Sequence, residues 1–246
     1  MRTKPMILAA GALLVLAMLI PTVAVAAEAA PIKCLMVGTG PHKDVVMTEV
    51  VEDIKNNYKP VALTVTENIE DLKYDNLKNY DVLLLIQIKV EGGNPPDYAK
   101  EGVHQFLKDG KGLVATHFSV ANTQEWRDSI DFLGAMWVSG KSTHDPYHEF
   151  QVDVKDEKHP ILDGVKSFTT NDELYFNLLM RPDMEVLLTG NQERFGRIVA
   201  EPLLCTHYVY DARCVYFALG HDVKSVSIPE YRKILVQSIE WAAKKR

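Results

Sequence analysis

Nearly unbroken apolar runs are the strongest constraint on what this chain can fold into. Ile32 to Val37, Val82 to Ile86 behind Asp81, and Leu113 to Thr116 contain almost no polar residue. A strand with one face in water alternates apolar and polar side chains. A run without alternation predicts a strand covered on both faces, the middle of a parallel sheet. Between these runs the period changes. Val45, Val46, Val50 and Ile54 recur at helical spacing, and Val61 to Thr66 reads as a further strand. Pro95-Pro96 opens a helix with Ala99, Val103, Phe106 and Leu107 on one face, ended by Gly110 and Gly112. Strand–helix–strand alternation with short connections predicts an α/β fold with a doubly wound, mainly parallel sheet.

The second half is less regular. Phe150 to Val154 alternates like a half-exposed strand, and Glu185 to Leu188 is another short one. Leu203 to Tyr210 and Cys214 to Leu219 flank Asp211-Ala212, a hairpin signal. Asn171-Asp172-Glu173 reads as a helix start with Asn171 as its cap. The last helix is announced by Ser227-Ile228-Pro229-Glu230: a capping serine, a proline at the first helical position and a following glutamate. Tyr231, Ile234, Leu235, Ser238 and Ala242 then mark its buried side.

The first residues are expected to be removed. Arg2 and Lys4 precede an apolar stretch from Met6 to Ile20, and Ala24-Val25-Ala26 offers a small-residue cleavage site. Residues 1–27 therefore read as a secretory signal peptide, and residues 31–246 as one domain, secreted or periplasmic, with no membrane contact after cleavage. A net charge of −6 with no basic stripe argues against a nucleic-acid partner. Cys34, Cys205 and Cys214 are odd in number and stand in apolar runs, as small buried hydrophobes do. A Cys205–Cys214 bridge is compatible with an oxidising compartment, but the spacing does not establish it.

Open α/β sheets bind ligands beyond the carboxyl ends of their strands. Six of the eight histidines are expected in short loops at strand ends: His42, His117, His144, His148, His207 and His221. Imidazole titrates near neutrality and is the commonest metal ligand, so their convergence would make one site. His117 directly follows the strand at 113–116, on a strand-to-helix elbow. Carboxylates accompany the imidazoles in His144-Asp145-Pro146-Tyr147-His148-Glu149 and in Gly220-His221-Asp222. His159-Pro160 reads as a turn and His104 as the solvated face of a helix, so both are left out. A dinucleotide fingerprint, a phosphate loop, H-E-x-x-H, C-x-x-C and G-x-S-x-G are all missing.

Several segments in order resemble the trehalose-utilisation (ThuA-like) family, a branch of the class I glutamine amidotransferase-like superfamily. They are G-T-G-P-H at 38–42, G-K-G-L-V-A-T-H at 110–117, H-D-P-Y-H-E-F at 144–150, D-E-K-H-P-I at 156–161, N-D-E-L-Y at 171–175, T-H-Y at 206–208 and L-G-H-D at 219–222. The resemblance implies a flavodoxin-like, three-layer α/β/α fold. It also implies a polar pocket at the elbow lined by His42, His117, His148, Glu173, His207, His221 and Asp222. Amidotransferases of the superfamily carry a nucleophilic cysteine at the elbow; here the residue is His117, which cannot form the thioester that glutamine hydrolysis requires.

The expected function is action on a sugar or keto-sugar derivative, with His117, Glu173 and His207 as acid/base groups. His42, His144, His148, Glu149, Tyr175, His221 and Asp222 would hold the substrate. Imidazoles with a carboxylate, among them His117, His148, Glu173 and His207, could alternatively hold a divalent ion such as zinc. The competing expectation is a non-catalytic carbohydrate-binding or accessory module with Tyr147, Tyr175 and Trp126 as stacking surfaces. A homo-oligomer is compatible with either.

Overall fold

A computed structural model describes residues 30–40, 43–90, 94–121, 123, 125–194 and 196–245. The expected signal peptide and His42 lie outside the described residues. The first half forms β1 (Ile32–Gly38), α1 (Lys43–Asn57), β2 (Val61–Thr66), α2 (Tyr74–Leu77), β3 (Val82–Gln87), α3 (Asp97–Lys108) and β4 (Gly112–Thr116). After β4 come α4 (Ile130–Leu133), β5 (Ala135–Met136), β6 (Thr143–His144), β7 (His148–Val154), β8 (Phe168–Asp172), β9 (Tyr175–Phe176) and β10 (Leu179–Met180). The chain closes with β11 (Glu185–Arg194), β12 (Arg197–Val209), β13 (Ala212–Phe217), α5 (Val223–Val226) and α6 (Pro229–Ala242).

Nine strands form the main sheet in the order β2-β1-β3-β4-β13-β12-β11-β7-β8. The first five are parallel, and this half has the doubly wound order of a flavodoxin-like sheet. The remaining four are attached antiparallel. The apolar runs occupy the centre: Val82 to Leu85 and Leu113 to Ala115 are shut off from solvent on both faces. Tyr208 of β12 packs its ring on Trp241 of α6, whereas its neighbour His207 reaches the Asp131 carbonyl of α4. Successive strand residues point to opposite faces, so α4 and α6 cover opposite sides and the fold has three layers. α3 packs by Ala99, Gly102, Val103, Phe106 and Leu107. Gly102 is required there because a Cβ would stand 1.9 Å from the Leu72 carbonyl oxygen.

Three local expectations are corrected. Asn171 does not cap a helix; residues 168–172 form β8, because the edge of β7 offers them a ladder that no local signal announces. Ser227 does not cap α6: the capping position is Ile228, and the Ser227 hydroxyl donates to the Val223 carbonyl at 2.6 Å. Pro229 does occupy the first turn. The strand expected at 185–188 runs on to Arg194 as half of a long hairpin, its polar outer part paired with β12. Cys205 lies opposite Tyr216 and Cys214 opposite His207 in the β12–β13 ladder, and all three cysteines are free and buried. Burial pushes the thiols of Cys205 and Cys214 up to about 12. Among the described residues no helix is long and apolar enough to cross a membrane.

Candidate functional site

The parallel strands β4 and β13 are neighbours, so the loops after both open at the same sheet edge. The first residue after β4 is His117, held at φ +26°, an uncommon value for a residue with a side chain. Such strain persists only where surrounding contacts hold it, and it gathers at functional sites. The surroundings here are well defined. His117 Nδ1 lies 2.6 Å from the Ala218 carbonyl oxygen on the loop after β13. A carbonyl only accepts, so Nδ1 carries the proton and Nε2 presents a lone pair. Around Nε2 stand the Tyr175 hydroxyl at 2.9 Å and Glu173 Oε2 at 3.7 Å.

Glu173 and Tyr175 reach this place by curvature of the sheet. β8 lies four strands beyond β13 in the sheet order. In a flat sheet that would be about 19 Å, from strands roughly 4.8 Å apart. Instead, Asp172 at the end of β8 accepts the Gly220 N–H at 2.8 Å, and the Ser225 hydroxyl donates to the Asn171 carbonyl at 2.7 Å. The antiparallel half therefore curls back onto the parallel half. Register shifts in β11 between Val186 and Thr189 supply a local cause, since bulges bend strands and increase their twist.

The result is a carboxylate among imidazoles. Glu173 Oε2 is 3.1 Å from His221 Nδ1, and Oε1 is 3.5 Å from His144 Nδ1. Side-chain exposure rises from 2% at His117 through 14% at Glu173 and 24% at His221 to 40% at His144, which traces a path from the interior to solvent. Burial alone would push the Glu173 carboxyl up. The His117 and His221 imidazoles beside it, with the charges of His221 and His144, outweigh it and hold the carboxyl well below the usual range. Pairing with Glu173 raises His221 against its own burial, which favours imidazolium beside the carboxylate. Aromatic rings enclose the cluster: Phe118 against His117, Trp137 against Tyr175 and His144, and Tyr147 against His221.

Of the expected site residues, His117, His144, Glu173, Tyr175 and His221 converge. Asp222 stands beside them in a supporting role: it caps α5 by accepting from Ser225 N, and it accepts the Tyr147 hydroxyl at 2.7 Å. His148 is nearby, opposite Asp172 in the ladder, but its ring is engaged by the Pro146 carbonyl and Gln192. Glu149 points outward from β7.

His207 is a correction. It pairs with Cys214, which pairs with Leu113, so it sits about 13 Å along the strands from the elbow. Its Nε2 lies 3.2 Å from the Asp131 carbonyl, and burial followed by the Arg181 charge pushes its pKa down to about 4. It is a buried neutral imidazole and no partner of His117. Trp126 is likewise removed as a stacking surface, being buried against Phe132 and His104. His104 itself is only partly solvated, with Asp128 at 3.2 Å.

Asp172 was missed as a site residue. Its carboxylate is fully buried, 3.8 Å from His117 Nδ1, and accepts the backbone N–H groups of Glu173 and Gly220. Burial raises its pKa, opposed by His117 and those N–H groups. The reading of 171–173 as a helix start gave no sign that Asp172 turns inward at the end of a strand.

The comparisons with known proteins agree with this architecture. The ThuA family, described as trehalose utilisation, matches residues 33–242. ThuA-like proteins from Parabacteroides merdae and Bacteroides uniformis superpose with TM-scores of 0.73 and 0.71 at 20% and 21% identity. The alignments cover 88% of this chain and 91% of the first, and 87% and 93% for the second. A glutamine amidotransferase from Thermotoga maritima shares the fold more distantly, with a TM-score of 0.55 at 10% identity over 87% of this chain and 98% of its own. No curated protein matches in sequence. The family match spans nearly the whole described domain, and the chain belongs to the ThuA family.

Proposed function

We propose that this protein is an exported enzyme that enolises a sugar or keto-sugar derivative at the Glu173 cluster, and that it is not a glutamine amidotransferase. One observation carries the reading: a largely buried carboxylate held between imidazoles at a strained strand-end elbow. Family membership supports a sugar-derived substrate, and the leader-like first 27 residues support export. The elbow residue is His117, and every cysteine is buried in a strand with no thiolate character, so thioester chemistry has no nucleophile here.

The two oxygens of Glu173 divide the work. Oε1, toward His144, takes the proton from the carbon beside the substrate carbonyl. The electron pair of that C–H bond moves into the new C=C bond, and the carbonyl oxygen takes a proton from the His221 imidazolium. Return of a proton to either carbon restores a carbonyl, giving exchange, epimerisation or isomerisation with atoms in balance. As His221 turns toward substrate oxygen, Glu173 loses one of the hydrogen bonds that keep it weakly basic, so its basicity rises when it is needed. Half-exposed His144 passes the proton to solvent.

The experiment is proton exchange in deuterated water, followed by NMR on keto-disaccharides. The mature protein should wash deuterium into the position beside the carbonyl, and Glu173→Gln should lower the rate by about 100-fold or more. Absence of exchange with any keto-disaccharide, or full exchange by Glu173→Gln, would refute the reading.

A further inference from the structure

We propose that His117 Nε2, Glu173 Oε2 and His221 Nδ1 form a binding site for a divalent transition-metal ion, zinc in the first instance. The inference deepens the reading above by adding a Lewis acid to the same site, and its test is kept separable from that reading.

Three observations converge on these atoms. The ligand atoms all lie within 4.8 Å of one another, with Glu173 Oε2 3.7 Å from His117 Nε2 and 3.1 Å from His221 Nδ1. A tetrahedral zinc with bonds of about 2.1 Å sets its ligand atoms about 3.4 Å apart, so these three need to move by less than about 1 Å. Second, His117 is already in the form a metal requires. Its Nδ1–H is committed to the Ala218 carbonyl at 2.6 Å, which fixes the tautomer and turns the Nε2 lone pair toward Glu173. Metal-binding histidines almost always have such a partner behind them. Third, the donor set is two imidazoles and one glutamate, three protein ligands with positions left for water or substrate, as catalytic zinc sites use.

The positions of the remaining groups follow. Glu173 Oε1 stays free of the ion and next to His144, so the carboxylate can ligate with one oxygen and accept a proton with the other. The Tyr175 hydroxyl, now 2.9 Å from Nε2, becomes a donor to an oxygen bound on the ion. An ion here would polarise the carbonyl of a substrate held above it, the role filled by the His221 proton in the metal-free form.

The test uses the mature protein stripped with chelator, dialysed and titrated with Zn2+ by calorimetry, with metal content by mass spectrometry and Co2+ absorption as a report of coordination. The expected result is one equivalent bound, with tetrahedral Co2+ bands. Glu173→Gln and His221→Ala should each weaken binding by at least about 100-fold, since even outer-shell partners of metal ligands are worth 10- to 100-fold. His148→Ala, whose ring is engaged by the Pro146 carbonyl and Gln192, should bind like the parent. Folding of each variant is checked by circular dichroism. Should Glu173→Gln fail to fold, His221→Ala, at the more exposed end, decides. No stoichiometric binding, or binding unchanged in His221→Ala, overturns the site. Proton exchange by the chelator-stripped protein separates the two proposals: exchange without metal binding leaves the acid–base reading standing alone, and metal binding without exchange leaves only the metal site.

Discussion

Replacing His207 with glutamine tests the sorting of imidazoles into site and scaffold. The side chain is 2% exposed, donates toward the Asp131 carbonyl, and shares its surroundings with the Arg181 guanidinium. Its pKa falls from 6.5 to about 4, first because burial disfavours the cation and then because Arg181 repels it. The depressed value means that the unfolded chain binds a proton before the folded chain does. Stability is therefore fully present above about pH 6.5, is lost as pH falls toward about 4, and loses nothing further from this group below that. Between about pH 7 and about pH 5 the loss comes to about 2 kcal/mol, from the ratio of proton-binding terms in the two states. Glutamine keeps a donor for the Asp131 carbonyl and cannot titrate. Urea unfolding of wild type and His207→Gln at both pH values should show the wild type losing about 2 kcal/mol more than the variant, with equal m-values. The variant should also exchange substrate protons at the wild-type rate. Parallel pH curves would refute the assignment of a buried neutral imidazole. Loss of exchange in a folded variant would return His207 to the active site.

Gly102→Ala sets a methyl 1.9 Å from the Leu72 carbonyl, and overpacking against backbone should outweigh the better helix propensity of alanine. A net cost of about 2 kcal/mol lowers the melting temperature by roughly 4–8 °C in a domain of this size, and a rise would refute the close approach. Asp172→Asn turns an amide NH2 toward one of the two backbone N–H groups the carboxylate accepts, at a cost of about 1–3 kcal/mol in chemical unfolding. An unchanged unfolding midpoint would mean that the curled sheet is not tied there. Alkylation of denatured, unreduced protein should label all three cysteines, and labelling of only one would reveal a Cys205–Cys214 bridge.

The parallel half was legible because its signal is local. Val82 to Ile86 and Leu113 to Thr116 can be satisfied only by burial on two faces, and the intervening helices show their period within a dozen residues. The elbow at His117 followed from the same reading, as the first residue past a buried strand. The antiparallel half was harder to read. Asn171-Asp172-Glu173 has the composition of a helix cap, yet pairing with β7 overrides that preference. Thr206-His207 looked like a strand end because two polar residues interrupt an apolar run, but α4 covers His207, and Thr206, on the other face, is buried too.

What the amino-acid order determined by itself was the kind of sheet, the place of its ligand-binding edge and the residue at the elbow, since each depends on neighbours a few positions away. Which imidazoles meet was decided only by tertiary structure. Glu173 and His221 are 3.1 Å apart because the sheet bends β8 back over four intervening strand spacings, a consequence of bulge, twist and long-range hydrogen bonds that no short window of sequence contains.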